Sequence, residues 1–265
     1  MYAEIIGLSE MPRSAEVTFN GKLIPSSERE WGYRTLFCIP PEMKTGPSSV
    51  SVRCRVKGDD SVLEIPFTVG DAHFKVEHES LNLGKYSVKE DIPASLQAYI
   101  DECSAKKKKA FAEQIEDRFS SNLSHPRDMH YITSEFYSKR VIAQYRIEKR
   151  KRVRIKDETK IHWGTDFRGA EGTPVYAIAT GRVSLSGLMY YEGNMVILDH
   201  GNGIFTYYMH MSGRTVKEGD EIIAGQQIGM VGSTGMSTGP HLHVSLFMNK
   251  EHANPLSLLS LPIRD

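Results

Sequence analysis

The stretch M195VILDHGNGIFTYYMH210 decides the fold of the C-terminal part of this chain. Two apolar, β-branched and aromatic runs flank Gly201-Asn202-Gly203, and Asn-Gly accepts the positive φ angles that a tight hairpin turn requires. Downstream, glycines at 219, 225, 229, 232, 235 and 239 punctuate short apolar runs, which suits strands joined by tight turns. No amphipathic helical stretch separates the runs, which argues against a parallel α/β sheet. An antiparallel, β-rich domain with few helices is expected from about residue 126 to 265.

Working towards the N-terminus, the pattern changes twice. Between Ala15 and Val69 the runs AEVTFNGKLI, YRTLFCIP, SSVSVRCRV and SVLEIPFTV alternate with period two and are broken by turn residues. This predicts a small antiparallel β-sandwich over 1–70. Cys38 and Cys54 fall on neighbouring predicted strands, where they form either a disulfide in an oxidising compartment or two buried small apolar residues. Between Pro93 and Phe119, Leu96, Ile100 and Cys103, then Phe111, Ile115 and Phe119, recur at spacings of three or four, predicting a helix or helix pair. The run Lys106–Lys109 reads as a solvated face. Ser120-Ser121-Asn122 marks a linker, so the expected organisation is 1–70, a partly helical connector 71–125, and 126–265. The fold class is thus mainly β.

The chain has 265 residues, ordinary globular composition, and 33 Lys+Arg against 33 Asp+Glu. Charge neutrality argues against global binding to nucleic acid or membrane. No apolar run approaches the roughly 18 residues of a transmembrane helix. The first residues lack the n- and h-regions of a secretory signal. A monomer is expected. Neutrality conceals one basic segment: Lys139 to Lys160 holds ten Lys and Arg against Glu148, Asp157 and Glu158, a net of 10 − 3 = +7. Its alternating core, RVRIK at 152–156, suits an exposed hairpin strand.

The C-terminal part also carries a constellation of metal-binding side chains. His162 and Asp166 occur as HWGTD, His210 closes the strand-like run, and His241 and His243 form HLH after a Gly-Pro turn. In a strand, residues i and i+2 share a face, so His241 and His243 can look into one pocket. Imidazole and carboxylate donors suit Zn²⁺, and three protein ligands with an open fourth position is the catalytic pattern. Helical HExxH, which carries its own general base, is absent, so any base comes from elsewhere.

The segments H162WGTD166, G172TPVYA177, E192GNMVILDHGNGIFTYYMH210, V216KEGDEI222 and G225QQIGMVGSTGMSTGPHLH243 together resemble peptidase family M23, the lysostaphin and LytM type of zinc endopeptidase that cuts peptidoglycan peptides. The resemblance implies that His162, Asp166 and His243 bind Zn²⁺ and that His210 and His241 stand near the open position as the catalytic pair. The metal would lower the pKa of a bound water and polarise the scissile carbonyl, with one histidine taking the proton and the other meeting the developing oxyanion. It implies peptidoglycan stem peptides and cross-links as the substrate, with D,D-endopeptidase activity expected. It implies a periplasmic or cell-surface location, with an export signal already removed. ITSEFYSKR at 132–140 resembles the family's SxFGxR opening but has Tyr137 where Gly is usual. More loosely, the N-terminal part resembles an immunoglobulin-like module, and in this family such N-terminal segments can occlude the groove. The alternative is a non-catalytic LytM-like binding module or regulator of other wall hydrolases, but such proteins lose zinc ligands and this chain keeps all five positions. His200 reads as a turn residue or a support behind the site, and Tyr208, by alternation, shares the face of His210, where it either contacts substrate or packs across the strands.

Overall fold

The computed structural model describes residues 2–6, 12–56, 59–82, 92–113 and 115–263. Mainly antiparallel sheet builds it. The centre is an eight-stranded sheet whose path runs Glu221–Ile222, Gly181–Met189, Gly193–Asp199, Ile204–Met211, His241–Met248, Thr165–Arg168 and Ile132–Ser134, with Glu251–Ala253 added beside His241–Met248. The turn between Gly193–Asp199 and Ile204–Met211 is the one anticipated, with Asn202 at φ +52° and Gly203 at φ +71°.

Period two divides this sheet into two covered faces. Val196, Leu198, Tyr208, Leu242, Val244 and Leu246 point into the main core, together with Val175 and Ile228 from the small sheet Pro174–Tyr176, Gln227–Met230 and Gly213–Arg214, and with Val231 just beyond it. Met195, Ile197 and Phe205 point the other way and pack with Cys103 and Ala110 of the helix Ala94–Ala112. A helix is expected here from the apolar spacing between Pro93 and Phe119, but it stops at Ala112. Ile115 and Phe119 continue the spacing in an extended chain, where the Ile115 N–H donates to Asp199 Oδ2 at 3.1 Å and Phe119 is buried in the main core. Apolar spacing alone does not distinguish a helix from a segment pinned by side-chain hydrogen bonds. The lysine run is only partly the solvated face expected: Lys106 pairs with Glu102 and Lys109 with Glu113 one turn away on the exposed side, while the half-buried Lys107 turns inward to reach Glu192.

The N-terminal residues form a four-stranded antiparallel sheet, Lys22–Ile24, Ser14–Phe19, Gly46–Val56 and Asp59–Val69, and a three-stranded one, Tyr2–Ile6, Gly32–Leu36 and Ser26–Arg29. Cys38 and Cys54 are free thiols and do not lie on adjacent strands. Cys54 pairs in register with Ala15 and Ser61, whereas Cys38 donates to the Met248 carbonyl at 3.8 Å. The disulfide alternative is therefore overturned by strand register. The basic segment forms the hairpin Lys139–Glu148 and Lys151–Ile161, and Val76–Asn82 joins it as a parallel third strand. Among the described residues no helix is long and apolar enough to cross a membrane.

Behind the large sheet's main core, His200 is fully buried, with Nδ1–H donating to the Thr180 carbonyl at 2.7 Å and Nε2 2.8 Å from Thr206 Oγ1. Burial pushes its pKa down to about 4. The unfolded chain protonates this group near 6.5, so between about pH 4 and 6.5 the unfolded state holds the extra proton. Stability should fall as pH drops through that window, by about 1.4 kcal/mol per unit from this residue. Urea midpoints at several pH values for wild type and His200→Gln check it; the variant should show the shallower slope, and equal slopes would refute the assignment.

Candidate metal centre

Five side chains named from sequence converge where the strands Ile204–Met211, His241–Met248 and Thr165–Arg168 of the large sheet adjoin. Thr165–Arg168 pairs with His241–Met248 so that Asp166 faces His243, and the other neighbour of Asp166 is Ser134. His162 closes the hairpin strand just before the turn into Asp166, its N–H donating to the Ser138 carbonyl at 3.0 Å. His162 Nε2 lies 3.0 Å from Asp166 Oδ1 and 3.0 Å from His243 Nδ1, and His243 Nδ1 lies 2.8 Å from the same Oδ1. All three residues are buried, and their ligand atoms lie within 4.8 Å of one another. His241 shares the strand face of His243, with Nε2 3.8 Å from Asp166 Oδ1.

His210 arrives by a different route. Pairing of Gly193–Asp199 with Ile204–Met211 shifts register between Asn194 and Val196, opposite Tyr208 and Met211. The extra residue forms a bulge in which His210 takes φ +62°. Its ring is thereby turned towards His241, with centroids 4.9 Å apart. Strained backbone of this kind costs of order 1–3 kcal/mol and is held here by hydrogen bonds on both sides of the residue: His210 N–H to Glu192 O at 2.9 Å and Thr234 N–H to His210 O at 3.3 Å. The bulge also corrects the shared face expected for Tyr208 and leaves its packing alternative. Its ring stays in the core, where its hydroxyl accepts from Ile178 N–H at 2.8 Å, and it does not share the groove with His210.

The back nitrogens settle the tautomers, since a carbonyl can only accept. His162 Nδ1–H donates to Glu135 O at 2.9 Å, His210 Nδ1–H to Thr234 O at 2.9 Å, and His241 Nδ1–H to Gly239 O at 2.8 Å. Each leaves Nε2 with its lone pair towards the centre. For His243 the arrangement is reversed: Nδ1 faces the cluster, and Nε2 lies 2.8 Å from Ser245 Oγ. Burial, then the neighbouring His241 and His243, push His210 down to about 3, and burial pushes His243 to about 4, so both are neutral at pH 7. Burial works to raise the Asp166 carboxyl, but the neighbouring His162 and His243 outweigh it and hold Asp166 well below the usual carboxylate range. Arg140 adds to this, with Nη2 2.6 Å from Asp166 Oδ2.

This donor set fits Zn²⁺. Two imidazoles and a carboxylate converge on one point, and their separations approach the ligand spacing of about 3.3 Å expected for tetrahedral bonds of roughly 2.0–2.1 Å. Close packing protects the arrangement: a Cβ on Gly164 would stand 2.3 Å from His243 Nε2. Sequence reasoning named the five but passed over their supports. Ser245 was legible as the next i+2 position after His241 and His243. Ser134 and Arg140 were legible in the SxFGxR-like segment. Tyr137, standing where that segment usually has Gly, takes the left-handed conformation at φ +59°, anchored by its N–H to His162 O at 2.7 Å and its hydroxyl to Glu42 at 2.8 Å.

A mainly antiparallel β fold with a buried His-Asp-His cluster defines a metallopeptidase-like architecture. Residues 160–255 match peptidase family M23, and the chain belongs to that family through this part. It is 35% identical over 159 residues to the peptidoglycan DD-endopeptidase ShyC of Vibrio cholerae, covering 59% of this chain and 31% of that protein. It is 42% identical over 99 residues to the DD-carboxypeptidase/endopeptidase Mpg of Neisseria meningitidis, covering 37% and 23%. The chain thus spans less than a third of the length of these curated relatives. A crystal structure of a Pseudomonas aeruginosa protein assigned to peptidase M23 superposes with a TM-score of 0.63 at 25% identity, covering 97% of this chain and 92% of that one.

Proposed function

We propose that this chain is a zinc-dependent endopeptidase that hydrolyses peptide cross-links of bacterial peptidoglycan outside the cytoplasm. The observation that carries this reading is the convergence of His162, Asp166 and His243 with His210 and His241 on one side of the cluster. In it, His162 Nε2, an Asp166 carboxylate oxygen and His243 Nδ1 hold the metal. Zn²⁺, when bound, supplies a Lewis acid that polarises the scissile carbonyl and activates a water.

The other steps belong to the protein. His210 and His241 are fixed by their Nδ1–H bonds to carbonyls, so each offers Nε2 at a set position to take a proton from the attacking water or, once protonated, to donate to the oxyanion. Arg140 and the two imidazoles keep Asp166 ionised as a ligand. The D,D-specificity is supported by the names of ShyC and Mpg.

Purified sacculi incubated with the protein should release cross-link fragments identifiable by mass spectrometry. A chelator should stop release and added Zn²⁺ should restore it. Release that persists in fully metal-free protein would overturn the reading; binding to sacculi without release would favour a non-catalytic module instead.

A further inference from the structure

Behind the metal cluster stands a carboxylate that comes from the connector. Glu77 lies on Val76–Asn82, the strand that pairs in parallel with Lys139–Glu148, and its register partner is Arg140. Glu77 Oε2 accepts from Ser134 Oγ at 2.9 Å and from Ser138 Oγ at 3.3 Å, and it forms an ion pair with Arg140 Nε at 3.6 Å.

Each of these three partners reaches a cluster residue. Ser134 Oγ is 3.3 Å from His162 Nδ1, and its backbone is the register partner of Asp166. The Ser138 carbonyl accepts the His162 N–H at 3.0 Å. Arg140 Nη2 is 2.6 Å from Asp166 Oδ2. One carboxylate, about a quarter exposed, therefore lies behind two of the three metal-binding side chains.

We propose that Glu77 is a positioning residue for the metal centre, through which docking of the connector strand onto the basic hairpin sets the affinity for the metal. The reasoning is electrostatic as well as steric. Arg140 holds Asp166 in place, but its guanidinium competes with a cation for that carboxylate. Glu77 offsets this charge and restrains the guanidinium from its far side. Without Glu77 an uncompensated positive charge stands beside a dication site, and Ser134 and Ser138 lose the acceptor that aims them. Partners behind a metal ligand commonly govern affinity by 10–100-fold.

This inference rests on His162, Asp166 and His243 being the metal ligands, so the test begins with the wild-type chain. Zn²⁺ affinity is measured by competition with a chromophoric chelator, and Co²⁺ loading is followed by its visible absorption band. Glu77→Ala should weaken Zn²⁺ by about tenfold or more and shift the Co²⁺ band. Glu77→Gln, which keeps an acceptor but not the charge, should fall between, and Glu77→Asp should recover part of the loss. His78→Ala, at an exposed neighbouring position of the same strand, should match wild type. Wild-type affinity and an unchanged band in Glu77→Ala would overturn the proposal, as would an equal loss in His78→Ala. If Glu77→Ala does not fold, wild-type affinity in folded Glu77→Gln overturns it. A wild-type chain that takes up neither metal would instead remove the ligand assignment on which this proposal stands.

Discussion

Replacing His162, Asp166 or His243 by alanine is expected to abolish zinc retention and hydrolysis together, with turnover falling by at least about 10³-fold. The three ligand atoms crowd around one point at 2.8–3.0 Å, and each is backed by a fixed partner: Glu135 O behind His162, Arg140 behind Asp166, and Ser245 behind His243. Removing one therefore leaves two buried donors that cannot close a tetrahedral set. Asp166→Ala should show a further effect. Arg140 would then face the two imidazoles with no carboxylate between them, so this variant should also lose thermal stability relative to wild type. Metal content by elemental analysis, read beside turnover on the same samples, checks the expectation. A ligand variant that keeps both stoichiometric zinc and wild-type turnover would remove that residue from the set.

His210→Ala and His241→Ala should behave differently, keeping zinc while losing about 10²–10⁴-fold in turnover. Neither ring completes the His162, Asp166, His243 cluster, and both have Nδ1–H committed to a carbonyl, which leaves Nε2 for chemistry. His210 is deeper and is held neutral by burial, while His241 is partly exposed and nearer Asp166. Releasing the bulge at His210 should also relieve local backbone strain, so His210→Gly is expected to be at least as stable as His210→Ala while equally inactive. Loss of zinc in either histidine variant would place that residue among the ligands. Unimpaired turnover would exclude it from the reaction.

Much of this centre was legible in the sequence because short-range periodicity carries it. HLH on a strand puts two imidazoles on one face by geometry alone. HWGTD carries a histidine and an aspartate around a glycine whose missing side chain makes room for His243. The Asn-Gly turn announces the hairpin that ends in His210. Where local patterning misled, a long-range constraint had overridden it. The apolar spacing through Ile115 and Phe119 read as helix, but Asp199 and the main core claim those residues in extended form. Tyr208 and His210 should share a face by strict alternation, but one extra residue in the strand separates them.

By itself the sequence determined the β-rich class, the hairpin around Asn202-Gly203 and the identity of the five candidate side chains, because each depends on residue type and on spacings of a few positions. Tertiary structure alone decided that Cys38 and Cys54 lie apart, that His210 turns into the cleft and Tyr208 into the core, and that Glu77 and Arg140 stand behind Asp166. Those outcomes depend on strand register, a bulge and a parallel pairing between segments distant in the chain. They are set by which buried polar groups find partners once the sheets close, and no local pattern records that choice.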